Sequence, residues 1–177
     1  VTDNSLRLLK TRPRPSNLLL CLESMVLAVS SLLSNSHVNI EFYAHQLMPV
    51  ILSILLNKKI CKNRDEPHWD VRELAARTVA EVCQMFGDKY PDLQTRITET
   101  YIEAMRKSSS NLSTHFGAIV GTYWLGPLVV ESVLMSLHNQ YVELLEKRIE
   151  EYSKSSESSK NVAIGTEACS RCRFALN

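Results

Sequence analysis

Apolar residues recur along this chain at steps of three and four, stretch after stretch, and no stretch sustains the period-two alternation of β-branched residues that a half-buried strand needs. Only five of its 177 residues are glycine. The pattern restricts the fold to packed helices, and an all-α domain with essentially no sheet is expected.

The punctuation divides the pattern into elements. Pro13 and Pro15 precede a first helix with Ser16 or Asn17 as its N-cap, and Leu18, Leu22, Met25, Val26, Val29 and Leu33 form its stripe. Ser34-Asn35-Ser36 ends it. A second helix runs from about Val38 to Lys58, with Leu47, Val50, Ile51, Ile54 and Leu55 on one face. Pro49 inside it is expected to kink or break the helix, because proline removes a donor and crowds the preceding turn. The third, about His68 to Phe86, turns Val71, Leu74, Ala75, Thr78, Val82 and Met85 or Phe86 inward. It points Asp70, Glu73, Arg77, Glu81 and Gln84 outward, and Gly87 is placed as a left-handed terminator. A fourth follows Pro91 with Leu93, Ile97, Tyr101, Ala104 and Met105 as its stripe. Ser108 to Ser110 close it. The fifth, about Asn111 to Leu125, carries Gly117, Ala118 and Gly121 where a neighbouring helix must come close. Gly126-Pro127 stops it and starts a short helix to about Leu137, and another covers about Gln140 to Tyr152. Residues 153–160 read as a flexible Ser-rich loop, and Asn161 to Asn177 as a last helix with Val162, Ala163, Ala168, Cys172 and Leu176 available to dock. Residues 1–15 are assigned to a tail or linker and 16–177 to a single domain.

An internal echo organises these helices. Val71–Gly87 and His115–Gly126 each show a polar residue, a pair of small residues and an apolar run ending in glycine, at an offset of roughly 40 residues, the period of HEAT and armadillo units. Helix pairs with too much apolar face to bury alone stack on their neighbours, so the expected architecture is a HEAT-like α-solenoid of stacked antiparallel helix pairs.

Chemistry is sparse. Cys169-x-x-Cys172 lacks the second ligand pair of a structural zinc site and the βαβ setting of a redox motif, so two thiols packing inward is the favoured reading. His37, His45, His68, His115 and His138 are scattered without a metal-ligand spacing, and Asp65-Glu66 and Glu150-Glu151 read as solvated acids. No phosphate-cradling glycine motif or nucleophile elbow occurs. No catalytic residue, cofactor or metal is assigned. The net charge of +1 argues against a dedicated nucleic-acid binder. Lys58, Lys59, Lys62 and Arg64 in one loop keep an auxiliary DNA contact open, as a less favoured reading. No apolar run approaches a bilayer span, and five cysteines without a regular framework suggest reduced thiols in an intracellular compartment. Val1 follows no basic and apolar leader, so the chain reads as a piece of a longer protein.

His68-Trp69-x-x-Arg72-x-x-Ala75-Ala76 can be read in two ways. Trp and Arg are favoured at binding hot spots. The preferred reading is a helix start at which Trp69 covers the end of the core and Arg72 satisfies carbonyls or an acid of the adjacent repeat.

Around these residues the chain resembles a known family. His68-Trp69-Asp70-Val71-Arg72-Glu73-Leu74-Ala75-Ala76-Arg77-Thr78-Val79-Ala80, continuing to Cys83, is similar to the C-terminal HEAT-repeat domain of TFIID subunit 6, a TATA-binding-protein-associated factor. Tyr43-x-His45-x-Leu47-x-Pro49, Gln94-Thr95-Arg96-Ile97-Thr98, and Phe116-Gly117-Ala118-Ile119-Val120-Gly121 with Leu125-Gly126 fit in the same order. His115 departs from the pattern, standing where the family usually has arginine, and the 57–67 loop and the segment after Glu143 match poorly. The resemblance implies an architectural protein–protein interaction scaffold in RNA polymerase II transcription initiation, nuclear, without catalysis. It implies other TFIID or SAGA-type subunits as partners, and a histone-fold pairing made by a module outside these residues. A HEAT-type adaptor of another complex is the alternative. Arg72, Arg77 and Arg96, on or beside the matched blocks, are the expected polar contacts to partners. His68, Trp69, Ala75, Ala76, Gly87, Gly117, Gly121 and Gly126 are the expected structural positions.

Overall fold

A computed structural model describes residues 16–61, 67–107 and 111–154 of the chain. These form helices α1 (Asn17–Leu33), α2 (Glu41–Leu56), α3 (Trp69–Phe86), α4 (Asp92–Arg106) and α5 (Leu112–Trp124). A sixth, α6, follows as three consecutive segments, Pro127–Val129, a π-helical Val130–Leu134 and Met135–Lys154. No strand occurs among the described residues. The expected tail 1–15, the last helix 161–177 with Cys169 and Cys172, the closing residues 108–110, and Lys62, Arg64 and Asp65-Glu66 lie outside them.

The helices stack in two layers. α3 packs between α1 and α5 in one layer, α2 lies across α3 and α5, α4 backs α5, and the start of α6 closes on α5. α2 and α3 run antiparallel: Glu41 at the start of α2 meets Lys89 just past the end of α3, while Leu55 at the other end of α2 meets Arg72. One continuous core joins the layers, from Leu19 and Val26 through Ile51, Ile54, Leu55, Val71, Val79 and Val82 to Ile97, Tyr101, Ile119 and Leu134. The expected solenoid of stacked pairs is the architecture found.

Local chemistry sets the boundaries. The Ser16 hydroxyl caps α1 by accepting from the Leu19 amide at 3.3 Å. Gly126, at φ 111°, makes the sharp stop before Pro127, which enters the first turn where its missing N–H costs nothing. Gly87, in contrast, is right-handed at φ −59°. The amides of Lys89 and Tyr90 both bond the Phe86 carbonyl, so the chain leaves α3 by a continued right-handed turn and the freedom of glycine is not used.

Other expectations need correction too. α2 runs through Pro49 as one helix, so of the kink or break expected there the break does not occur. Pro49 and His45 lie on the exposed side, and the helix is held from its other face by buried Met48, Ile51, Ile54 and Leu55. The two helices expected after Gly126 are one, and helix extends through Ser153 and Lys154, the first two residues of the expected loop, whose remainder, 155–160, lies outside the described residues. In α1 the buried residues are Leu19, Val26 and Leu33, while Leu18 and Met25 face outward.

Candidate protein-interaction site

The matched His68-Trp69-x-x-Arg72 block builds a polar node inside the stack. A helix end leaves its last carbonyls without intrahelical donors. At the end of α2, side chains from the neighbouring helices supply them. Arg72 is fully buried; it donates to the Leu55 carbonyl and, at 2.7 Å, to the Asn57 carbonyl. Thr114 at the start of α5 donates to the Leu56 carbonyl at 2.8 Å, and the Asn111 side chain to the Lys58 carbonyl at 3.3 Å. The third Arg72 nitrogen, Nε, donates to His68 Nδ1 at 3.3 Å. That nitrogen must then be the acceptor, so in a neutral imidazole the proton sits on Nε2, which faces Ser113 Oγ at 3.4 Å. Trp69 seals the node, with its ring 5.0 Å from Phe116, edge to face. Gly117 lets α5 settle on it: a Cβ there would stand 2.2 Å from the Leu55 carbonyl oxygen.

The electrostatics are those of a cation at a helix C-terminus. Among the described residues no carboxylate pairs with Arg72. Burial pulls its pKa down to about 10, and it stays charged at neutral pH. The negative end of the α2 dipole and the two carbonyls compensate, and guanidinium is the weakly hydrated cation suited to such a place.

The three arginines of the sequence reading therefore separate. Arg72 has no surface to offer a partner. Arg77 is exposed, 3.3 Å from Glu81 and 5.7 Å over the Trp124 ring, and Glu81 accepts from Ser30 of α1 at 2.8 Å. Arg96 is exposed on the wall of a groove between α2 and α4.

Two surfaces remain that the sequence reading did not assign. The first is the outer side of α1. Leu18, Leu20, Met25, Leu27 and Leu32 are between 43% and 50% exposed, so this helix is apolar on both its core side and its outer side. A helix hydrophobic all round is ordinarily buried. Spacing carried the signal, since Leu18, Met25 and Leu32 recur every seven residues, one residue ahead of Leu19, Val26 and Leu33. The second is the α2–α4 groove, about 800 Å³, with Ala44, Met48 and Leu52 on one wall and Leu93 and Ile97 on the other. Among the described residues no group of three His, Cys, Asp or Glu side chains could hold a metal ion, and no helix is long and apolar enough to cross a membrane.

Comparison with known proteins agrees with this architecture. A family model described as the TAF6 C-terminal HEAT repeat domain matches residues 14–138. Transcription initiation factor TFIID subunit 6 of Arabidopsis thaliana is 38% identical over 121 residues, 68% of this chain and 22% of that protein. The SAGA complex/transcription factor TFIID complex subunit Taf6 of Schizosaccharomyces pombe is 33% identical over 121 residues, 68% of this chain and 27% of its own length. The solved TAF6 C-terminal domain from Antonospora locustae superposes with a TM-score of 0.54 at 19% identity, covering 86% of this chain and 77% of that one. The chain thus spans about a quarter or less of the curated relatives it matches.

Proposed function

Because the chain belongs to the TAF6 C-terminal HEAT repeat domain family, we propose that it is an architectural scaffold of the general transcription factor TFIID, holding other subunits together during RNA polymerase II initiation. The outer apolar face of α1 carries the reading. Such exposed hydrocarbon on the first described helix calls for a cover, because a helix that faces water in a stack presents a polar outer side. The relatives' names supply the setting, transcription initiation in TFIID and, in fission yeast, SAGA as well.

On this reading residues 16–177 are one stacked domain entered by residues 1–15, the protein works in the nucleus, and it is not an enzyme. Its partners are other TFIID or SAGA-type subunits, with a histone-fold pairing made elsewhere in the parent protein. Arg77 and Arg96 are the polar contacts, and Arg72 acts from within by fixing the end of α2 against α3. The exposed Lys58 and Lys59 are the described part of the loop weighed for DNA contact, and that contact is auxiliary at most.

The test is affinity purification of the full-length parent from nuclear extract with identification of what comes with it. TFIID or SAGA-type subunits at near-stoichiometric yield are the expected result. Recovery without any transcription-complex subunit contradicts the reading.

A further inference from the structure

We propose that the groove between α2 and α4 docks a short amphipathic segment of a partner protein, apolar on one side and flanked by lysines or arginines. The inference deepens the scaffold reading and depends on it.

The groove exists because the outer layer is open. α2 lies across α3 and α5, and α4 backs α5, while α2 and α4 do not pack together as successive outer helices of a closed stack would. Between them α3 supplies the floor with Val82 and Phe86, and Met48, Leu52 and Ile97 complete the apolar lining. A volume of about 800 Å³ is on the scale of concave sites that bury several side chains of a ligand.

The rim sets the charge of the occupant. Glu41 and Lys89 close one end as an ion pair at 2.5 Å and cancel each other. Of the other charged groups, Asp92, Glu99 and Glu103 oppose Arg96 alone, and none of the four is in an ion pair among the described residues. A chain that is nearly neutral as a whole, at +1, therefore carries local acid excess around an apolar trough. Opposite charges on a partner's flanks meet that rim and steer it, and like charges are rejected. Arg96 fixes register by meeting the one acidic or carbonyl group of the segment that reaches it.

The test places a photo-crosslinking amino acid at Thr100, exposed on the groove wall, and in a control at Thr95, exposed on α4 but outside the groove, in the full-length parent within its assembled complex. The expected result is a crosslink from Thr100 but not Thr95, mapped by mass spectrometry to a partner peptide with apolar residues flanked by Lys or Arg. Its yield should fall about tenfold in a Glu99→Lys, Glu103→Lys protein of unchanged helical signal, the scale of replacing attraction by repulsion at two rim positions. An intact complex with no crosslink at Thr100, or with yield indifferent to the charge reversal, overturns the groove assignment and leaves the scaffold reading standing. So does a crosslink to an acidic segment, to nucleic acid or to the chain's own residues 6–14. A parent recovered without any partner overturns the scaffold reading itself.

Discussion

Two helix junctions in this molecule occupy corresponding places in the repeat and are held together differently. Counting from the N-caps, His68 for α3 and Asn111 for α5, Arg72 and His115 stand at the same position. At the first junction the long guanidinium reaches across to the end of α2 and binds two carbonyls there. At the second the shorter imidazole, also fully buried, lies with its ring 5.4 Å from that of Tyr141 in α6. Gly121 lets the Tyr101 ring of α4 press against α5: a Cβ there would stand 2.6 Å from it. The same helical pattern thus yields one junction whose arginine bonds two carbonyls at the end of the neighbouring helix and one where a glycine brings two helices into close contact. Polar bonds to buried carbonyls are expensive to break one-sidedly, whereas a packed junction gives way gradually.

The largest effect expected from this difference is on Arg72. Arg72→Met keeps bulk but strands the carbonyls of Leu55 and Asn57, and should lower unfolding free energy by about 3 kcal/mol in a denaturant titration. His115→Phe, which keeps a buried ring beside Tyr141, should cost less, about 1 to 2 kcal/mol. Equal losses would erase the distinction. The glycines sharpen it next. Gly117→Ala meets backbone, the Leu55 carbonyl, and should cost about 2 to 3 kcal/mol; Gly121→Ala meets a side chain, the buried Tyr101 ring, rather than backbone, and should cost about 1 kcal/mol less.

A smaller effect probes the second junction alone. The Tyr101 hydroxyl is buried without a hydrogen-bond partner among the described residues, and burial pushes its pKa far up. Tyr101→Phe should be neutral or stabilising by up to about 1 kcal/mol, and a clear loss on thermal unfolding would reveal a bond that the account lacks. The smallest effect belongs to Glu41 and Lys89. The Lys89 hydrogen bond holds the Glu41 carboxyl below its ordinary value, and Glu41 holds the Lys89 amine above its own. The pair's contribution is present above the ordinary carboxylate pKa and lost as pH falls through the lowered one. It is likewise present below the ordinary lysine pKa and lost as pH rises through the raised one. Comparing pH–stability profiles with Lys89→Met should show a slight neutral-pH advantage that salt removes.

Much of this was legible in the sequence where one physical requirement dominated. The small residues of α5 announced close approach, and Gly117 and Gly121 meet Leu55 and Tyr101 as that demands. The α3 stripe was readable because its polar and apolar sides are cleanly separated, and the preferred structural role of Arg72 follows from an arginine one turn inside a helix start. The α1 stripe was legible only in part, with Leu22, Val26, Val29 and Leu33 on the core but Leu18 and Met25 outside it: with apolar residues almost all round, several stripes satisfy the helical period and spacing cannot choose among them. No break follows at Pro49 because the packing of α2 outweighs one lost bond on the exposed side. The break expected before Gln140 misled because a π-helical segment absorbs a change of phase that otherwise needs a turn. The α2–α4 groove could not be read at all, since it depends on how far apart two helices are held by a third.

The most direct test of the two-junction account is native-state hydrogen exchange resolved to individual amides. The account predicts that amides of α2 and α3 around the Arg72 node open only with global unfolding, while those of α6 and the second half of α5 open in a separate, lower-energy step. Uniform protection across all six helices, or slower exchange in α6 than in α3, would contradict it.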